Sequence, residues 1–175
     1  MALPTITQTK SIESSKLHVY LREATTEIST FTAAGVTGAI ASTDALHFKN
    51  VEEGFTIEEA DGNTIINSIG QTIVLDMNTT GEFNILGLTA ADYAAMRLGT
   101  NKIQGVNVDL IFVEAPANRT EHTVVAGDDV YVVYAVKANV KLVMGGSGTP
   151  TKVMISFELN SLPSAPAIKS FTVTE

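Results

Sequence analysis

The residues of this chain that could do chemistry are few, and none stand at a spacing that an active site or a metal site requires. Histidine occurs at only three positions, His18, His47 and His122. Metal sites recognisable from sequence place their histidines close together or combine them with cysteine, which this chain lacks. We therefore expect the three histidines to be surface or boundary residues, although the fold could still bring them together.

Acidic pairs are the second candidate for chemistry. Glu52-Glu53 and Glu58-Glu59 are of the residue type that glycosidases use, but such sites also need aromatic platforms for the sugar. The chain has no tryptophan and four tyrosines. Asp61-Gly62-Asn63 and Gly127-Asp128-Asp129 lie between strand-like runs, where they are typical of hairpin turns. The sequence predicts no catalytic, cofactor-binding or metal site, and no enzyme.

Composition and charge are typical of an acidic globular protein. With 175 residues the chain can form one sizeable core, so residues 1–175 are predicted to be a single domain. Nineteen acidic residues against eleven basic ones give a net charge of −8, which repels a phosphate backbone and disfavours nucleic-acid binding. The sequence shows neither a secretory signal nor an apolar run long enough to cross a bilayer, so we expect cytoplasmic synthesis and no membrane contact.

Alternation of apolar and polar residues predicts a mainly β protein, an antiparallel sandwich or barrel. Residues 1–16 are predicted to be an extended arm, residues 17–161 the β core and residues 162–175 a terminal extension whose last strand could pair away from its own sheet. Several outward positions are also apolar, so a second layer or a neighbouring subunit should cover them. Strands are predicted at residues 17–23, 55–60, 64–67, 73–77, 81–86, 106–112, 130–136, 140–144, 153–159 and 168–174.

One short helix is predicted at residues 89–98. Thr89 can cap it with Asp92 as the reciprocal partner, and Gly99 stands where a left-handed closing residue belongs. Tyr93, Met96 and Leu98 are the expected buried face. The glycine-punctuated run of small residues from 33 to 44 is predicted to be a long loop, either a contact element or a mobile surface loop.

The order of these elements resembles the tail tube proteins of tailed bacteriophages, which share a fold with the type VI secretion tube protein and the tubes of contractile injection systems. The likeness lies in an arm, a first strand, a loop-and-hairpin region, strands around Ile73 and Phe83, a short helix, then long strands and an extension. It covers most of the chain and is architectural. The strand and capped helix at residues 82–98 carry most of it.

The resemblance implies a virion protein that self-assembles into hexameric rings, which stack into a hollow tail tube through which DNA passes without specific binding. It implies assembly in the host bacterial cytoplasm, contacts with other tail proteins, and no cofactor. Residues 1–16, 33–50 and 162–175 are then the candidate contact elements. The net negative charge would discourage DNA from adhering to the tube.

Two other functions stay open on the sequence. A capsid decoration protein or a virion adhesin would use the same β-sandwich and its loops to bind a capsid or a sugar, as a discrete monomer or trimer. The aromatic content of 6% disfavours sugar binding but does not bear on capsid decoration. An enzyme ranks third, since it needs a cleft in which a histidine meets carboxylates.

Overall fold

The computed structural model describes residues 17–25, 27–40, 45–48, 56–115, 123–147, 151–165 and 167–175. The predicted class is confirmed, because the chain is mainly β and its strands pair antiparallel. A second short helix is present besides the predicted one. Within the described residues the elements follow in the order β1 (Leu17–Glu23), α1 (Ala33–Ile40), β2 (Leu46–Phe48), β3 (Thr56–Asp61), β4 (Thr64–Ile66), β5 (Thr72–Val74), β6 (Met77–Ile85), α2 (Ala90–Leu98), β7 (Asn107–Glu114), β8 (Asp129–Val143), β9 (Lys152–Ser161) and β10 (Ile168–Thr172).

Strand β8 belongs to two layers. The main sheet has the order β2-β1-β7-β8-β9-β6-β3, and β10 also pairs with β8. The first half of β8 pairs with β7 and β10, whereas the second half pairs with β9. The first layer therefore contains β2, β1, β7, the start of β8 and β10, and the second layer contains the end of β8, β9, β6 and β3.

A bulge lies between the two halves of β8. The register with β7 shifts between Val108 and Leu110, and Ala135 has a φ of 53°, which a residue with a Cβ rarely adopts. The fully buried carboxylate of Asp109 accepts a hydrogen bond from the Ala135 N–H at 3.0 Å and from the Arg22 Nε at 3.0 Å. This carboxylate therefore holds the bulge at the point where β8 passes between the layers.

The main core lies between the inner faces of the two layers. Phe112 of the first layer meets Phe83 of the second edge-on, with ring centroids 6.1 Å apart. Alternate residues of β9 point inward, as the period-2 pattern predicted. The fully buried side chains of this core include Val19, Leu21, Phe48, Phe83, Ile85, Met96, Ile103, Leu110, Phe112 and Ile155.

Helix α1 covers the outer face of the first layer. The prediction of a loop is wrong for residues 33–40, because Val36 and Ile40, one turn apart, are fully buried there. Thr32 begins the helix, and its Oγ1 accepts a hydrogen bond from the Gly35 N–H at 3.2 Å. The second apolar cluster joins the helix to Tyr20, Ile111, Val113, Val130, Val132 and Val173. Over the first layer, the expected cover of doubly apolar strands thus comes from this chain itself.

Helix α2 begins as predicted but ends differently. The Asp92 N–H donates to the Thr89 Oγ1 at 3.1 Å, and the Thr89 N–H donates to the Asp92 carboxylate at 2.8 Å, which completes a capping box. Met96 is fully buried, but Leu98 is exposed, so its predicted burial is wrong. Gly99 has a φ of −63° rather than a left-handed conformation, and its N–H bonds to the Ala95 carbonyl.

The C-terminal strand pairs within its own sheet, contrary to the prediction that it could pair elsewhere. β10 lies antiparallel to β8, with Ser170 opposite Tyr131. Beyond it, the Thr174 N–H donates to the Phe31 carbonyl at 2.9 Å. The ring of Phe171 packs on that of Phe31 with centroids 4.3 Å apart. The last strand is therefore anchored to the first layer and to the segment that precedes α1.

Candidate assembly surface

A two-stranded ribbon projects beyond the end of the second layer. β3 and β6 pair as far as Asp61 and Met77, and the same register continues through β4 and β5. The other neighbour of β6 is β9, which ends at Ser161 opposite Met77. Among the described strands, β4 and β5 pair only with each other. Residues 62–76 form this projection, which we call the tip hairpin.

The turn of this ribbon is not where the sequence predicted it. Asp61-Gly62-Asn63 continues the extended ribbon, and the chain reverses at residues 67–71 instead. Gly70 supplies the positive φ, 83°, and the Asn67 side-chain oxygen accepts hydrogen bonds from the N–H groups of Ile69 and Gln71. An Asn-centred turn therefore closes a much longer hairpin than the Asp-Gly pair indicated.

Asp76 stabilises the base of the tip hairpin by hydrogen bonds across the two strands. Its carboxylate accepts hydrogen bonds from the Asn63 N–H and from the Asn63 side-chain amide, each at 2.7 Å. These two bonds hold the pKa of Asp76 below its usual value, and the bond from the Asn63 side chain has the larger effect. A Cβ on Gly62 would lie 1.9 Å from the Asp76 Oδ1, so a side chain there would displace the carboxylate that bonds Asn63, and the glycine serves this close approach rather than a turn.

The tip hairpin exposes large aliphatic side chains on both faces. Ile66 and Ile69 are 74% and 75% exposed. Ile65 and Ile73 are directly paired across the ribbon and so share one face, whereas Ile66 points to the other. Leu75 is exposed as well. An isolated two-stranded ribbon is marginally stable in water, and a projecting apolar cluster is typical of a contact surface. The tip hairpin is therefore the strongest candidate for a contact with another molecule.

The outer face of the second layer is polar and slightly concave. Directly paired residues share a face, so Glu58, Thr80, Glu158 and Lys137 form one row across β3, β6, β9 and β8. The Asn78 side-chain amide donates to the Glu158 carboxylate at 3.1 Å. The concavity has a volume of about 460 Å³ and is lined by Glu58, Thr80, Gly81, Glu82, Asn139, Lys141, Ser156, Phe157 and Glu158.

Both edges of the second layer are open within the part of the chain that the structure describes. β3 is the last strand of the sheet order and pairs only with β6. On the opposite edge, the Val140 N–H donates to the Gln104 side chain at 2.6 Å, and no described strand pairs beyond that point on the side away from β9. The layer can therefore accept a strand at either edge.

The fold brings two of the three histidines together. The His18 Nδ1 and the His47 Nε2 lie 3.1 Å apart, and the ring of Tyr20 stacks on that of His47 at 4.3 Å. His18 is buried, so its prediction as a surface or boundary residue is wrong, whereas His47 is half-buried, as a boundary residue is. His122 lies outside the described residues. Among the residues that are described, no three histidines, aspartates or glutamates form a group that could hold a metal ion.

The predicted acidic pairs are separated or lie at turns. Glu58 and Glu59 follow each other on β3 and so point to opposite faces of the sheet. Gly127 has a φ of 95° and forms a turn that leads into β8, and the Asp128 carboxylate accepts a hydrogen bond from the Val125 N–H. Glu52-Glu53 lies outside the described residues. Among the described residues, the structure therefore does not bring the acidic pairs of β3 and of the turn before β8 into one cleft.

The predicted contact elements are placed only in part. Residues 1–16 lie outside the described residues, residues 33–40 form α1 on the core, and residues 167–175 are anchored to the first layer. The tip hairpin was not predicted as a contact element. Its signal in the sequence is the isoleucine at positions 65, 66, 69 and 73, interspersed with polar turn residues.

Comparison with known proteins adds a distant structural likeness. No protein-family model matches the chain, and no curated protein matches it. A solved structure described as "Crystal structure of Hcp protein" aligns with 89% of this chain and 99% of that chain, at 11% identity and a TM-score of 0.34. At this level of similarity neither family nor function follows from the alignment. In the described part of the chain, neither helix is long and apolar enough to cross a membrane.

Proposed function

We propose that this chain is the structural subunit of a bacteriophage tail tube, which self-assembles into stacked rings, six subunits to a ring, around a channel for DNA. The exposed tip hairpin carries the proposal, because its aliphatic side chains on both faces need a cover that the described residues of one chain do not provide. In this proposal the protein is assembled in the host bacterial cytoplasm and resides in the virion tail with other tail proteins.

Ring formation is supported by the second layer. Its open edges, at β3 and at the end of β8, belong to one four-stranded layer. Pairing the β3 edge of one copy with the β8 edge of the next would extend the layer from subunit to subunit and leave no edge exposed once the ring closes. This arrangement needs no additional chain, because each edge would supply backbone hydrogen-bonding groups to the other.

The polar face of the second layer then lines the channel. It carries Glu58, Glu82 and Glu158 against Lys137 and Lys141, and the whole chain has a net charge of −8. A polar lining with more acidic than basic groups lets a polyanion pass without binding it, because the negative electrostatic field of the lining repels phosphate. The channel function requires no specific base or phosphate contact.

The test compares two variants of matched exposure. Ile66→Ser/Ile69→Ser removes two aliphatic side chains from the tip hairpin, and Leu98→Ser changes a 77% exposed residue at the end of α2. Burying the two isoleucines in an interface is worth about 3 kcal/mol, so their loss should raise the concentration needed for assembly on the order of 100-fold. Sedimentation velocity across a concentration series measures this shift.

The control variant should assemble like the wild type, since Leu98 lies outside the tip hairpin. Equal assembly by Ile66→Ser/Ile69→Ser and the wild type would contradict the proposed role of this surface. A discrete monomer or trimer of the wild type at every concentration would contradict the tube and favour the decoration or adhesin function.

A further inference from the structure

The second layer exposes apolar side chains at each of the two ends of its strands. β6 runs from Met77, next to the tip hairpin, to Ile85 at the opposite end, which is about 27 Å at the usual strand rise. Ile85 is paired with Val153 of β9, beside the connection between β8 and β9. The tip hairpin and this connection therefore lie at opposite ends of the same strands.

The β8–β9 connection exposes its own apolar side chains. Leu142 is partly exposed, and Met144 is 72% exposed. The Gly145 N–H donates to the Thr151 Oγ1 at 3.3 Å, which draws the two sides of the connection together. We call Leu142, Met144 and residues 145–147 the head surface. Its methionine is a flexible apolar side chain that adapts to irregular partners.

The two ends carry opposite charges. Asp61 and Asp76 lie at the base of the tip hairpin, and the sequence has no lysine or arginine between residues 56 and 77. At the opposite end, Lys141 of β8 and Lys152 of β9 outnumber Glu82 of β6, which lines the same concavity as Lys141. Hydrogen bonds from Asn63 favour the charged form of Asp76 and hold its pKa below the usual value. The two ends thus both expose apolar side chains, and their charges are of opposite sign.

We propose that the tip hairpin of one copy of this chain docks onto the head surface of the next copy along the stack. Ile66 and Ile69 would pack on Leu142 and Met144, with the acidic base of the hairpin near the two lysines. The inference rests on the proposed self-assembly and assigns its axial contact. Such a contact joins two different surfaces, so it repeats without closing and produces a filament with a fixed direction.

Pairing of two tip hairpins is the competing arrangement, and the charges disfavour it. A symmetric contact would bring the Asp61 and Asp76 of one copy near those of the other, and like charges across an interface reduce affinity. A symmetric contact would also end at a pair of rings, because each tip hairpin would be occupied. Only the contact between unlike ends continues the stack.

Disulfide cross-linking tests the contact directly, since the chain has no native cysteine. Ile69→Cys/Met144→Cys, oxidised in the assembled state, should give a ladder of dimers, trimers and longer species on non-reducing gels. A mixture of the two single variants should stop at dimers. Docked thiols should cross-link on the order of 100-fold faster than undocked ones, because docking raises their local concentration.

The control is Ile69→Cys/Val125→Cys, since Val125 is exposed but lies near the opposite end of β8 from Met144. It should give no ladder. A disulfide dimer of Ile69→Cys alone would favour the symmetric contact and overturn the inference.

Electron microscopy of the same samples separates the two proposals. Stacked rings without the Ile69–Met144 ladder would overturn the axial contact alone, whereas the absence of both rings and ladder would overturn both proposals.

Discussion

Replacing Asp109 by alanine is expected to destabilise the fold by about 3 kcal/mol. The Asp109 carboxylate is fully buried and accepts hydrogen bonds from the Arg22 Nε and from the N–H groups of Thr25 and Ala135. Removing one partner of a buried ion pair costs about 3–5 kcal/mol. We expect the lower end of this range, because the Arg22 guanidinium also donates a hydrogen bond to the Ala39 carbonyl at 3.4 Å, and this bond remains in Asp109→Ala.

Urea unfolding followed by circular dichroism measures this loss, with Glu114→Ala as the control. Glu114 lies at the exposed end of β7, and its truncation should change the unfolding free energy by less than about 0.5 kcal/mol. Asp109→Asn should lose less than Asp109→Ala, because an amide oxygen can still accept one of the backbone bonds. A loss below about 1 kcal/mol for Asp109→Ala would refute the role of this carboxylate in holding the bulge that bends β8.

Two further predictions concern the helix cap and the tip hairpin. Thr89→Ala should lower the unfolding free energy by about 1 kcal/mol in thermal unfolding, because the Oγ1 that accepts the hydrogen bond from the Asp92 N–H is lost, and an unchanged stability would contradict the cap. The pKa of Asp76 is lowered in the folded hairpin. The carboxylate therefore stabilises the folded hairpin above its ordinary pKa of 3.8, and this stabilisation is lost as the pH falls through the lower folded value. Hydrogen-exchange protection in the tip hairpin, corrected for the intrinsic exchange rate, should therefore fall below about pH 4 in the wild type, and an identical acid response in Asp76→Asn would contradict this.

The sequence predicted strands such as β9 because buried and less buried residues alternate along them. In β9, Val153, Ile155 and Phe157 are buried and separated by less buried residues, which is the signal that periodicity detects. Helix α2 was equally readable, since Thr89 and Asp92 form a capping box by local bonds alone. In both cases the information lies within a few residues of the element.

Helix α1 was missed because its stability is tertiary. Its two glycines and three β-branched residues are weak helix formers, and burial of Val36 and Ile40 against the first layer overrides that preference. The capping Thr32 was the one local signal. The hairpin turn was misplaced because Asp61-Gly62 has the composition of a turn, whereas Gly62 is needed for its close approach to Asp76. Neither contact can be read from local sequence.

The candidate assembly surface was only partly predictable for the same reason. The isoleucines at 65, 66, 69 and 73 look like ordinary strand residues, and their exposure follows from the ribbon extending past the end of β9 at Ser161. The convergence of His18 and His47 depends on the pairing of β1 with β2, which their sequence separation does not reveal.

The most direct test of the central claim is negative-stain electron microscopy of the purified wild-type protein across a concentration series. The proposed function predicts rings at lower concentration and stacked rings with an open central channel at higher concentration, because the edges of the second layer and the tip hairpin offer separate contacts. Dispersed small particles at every concentration would contradict the tube.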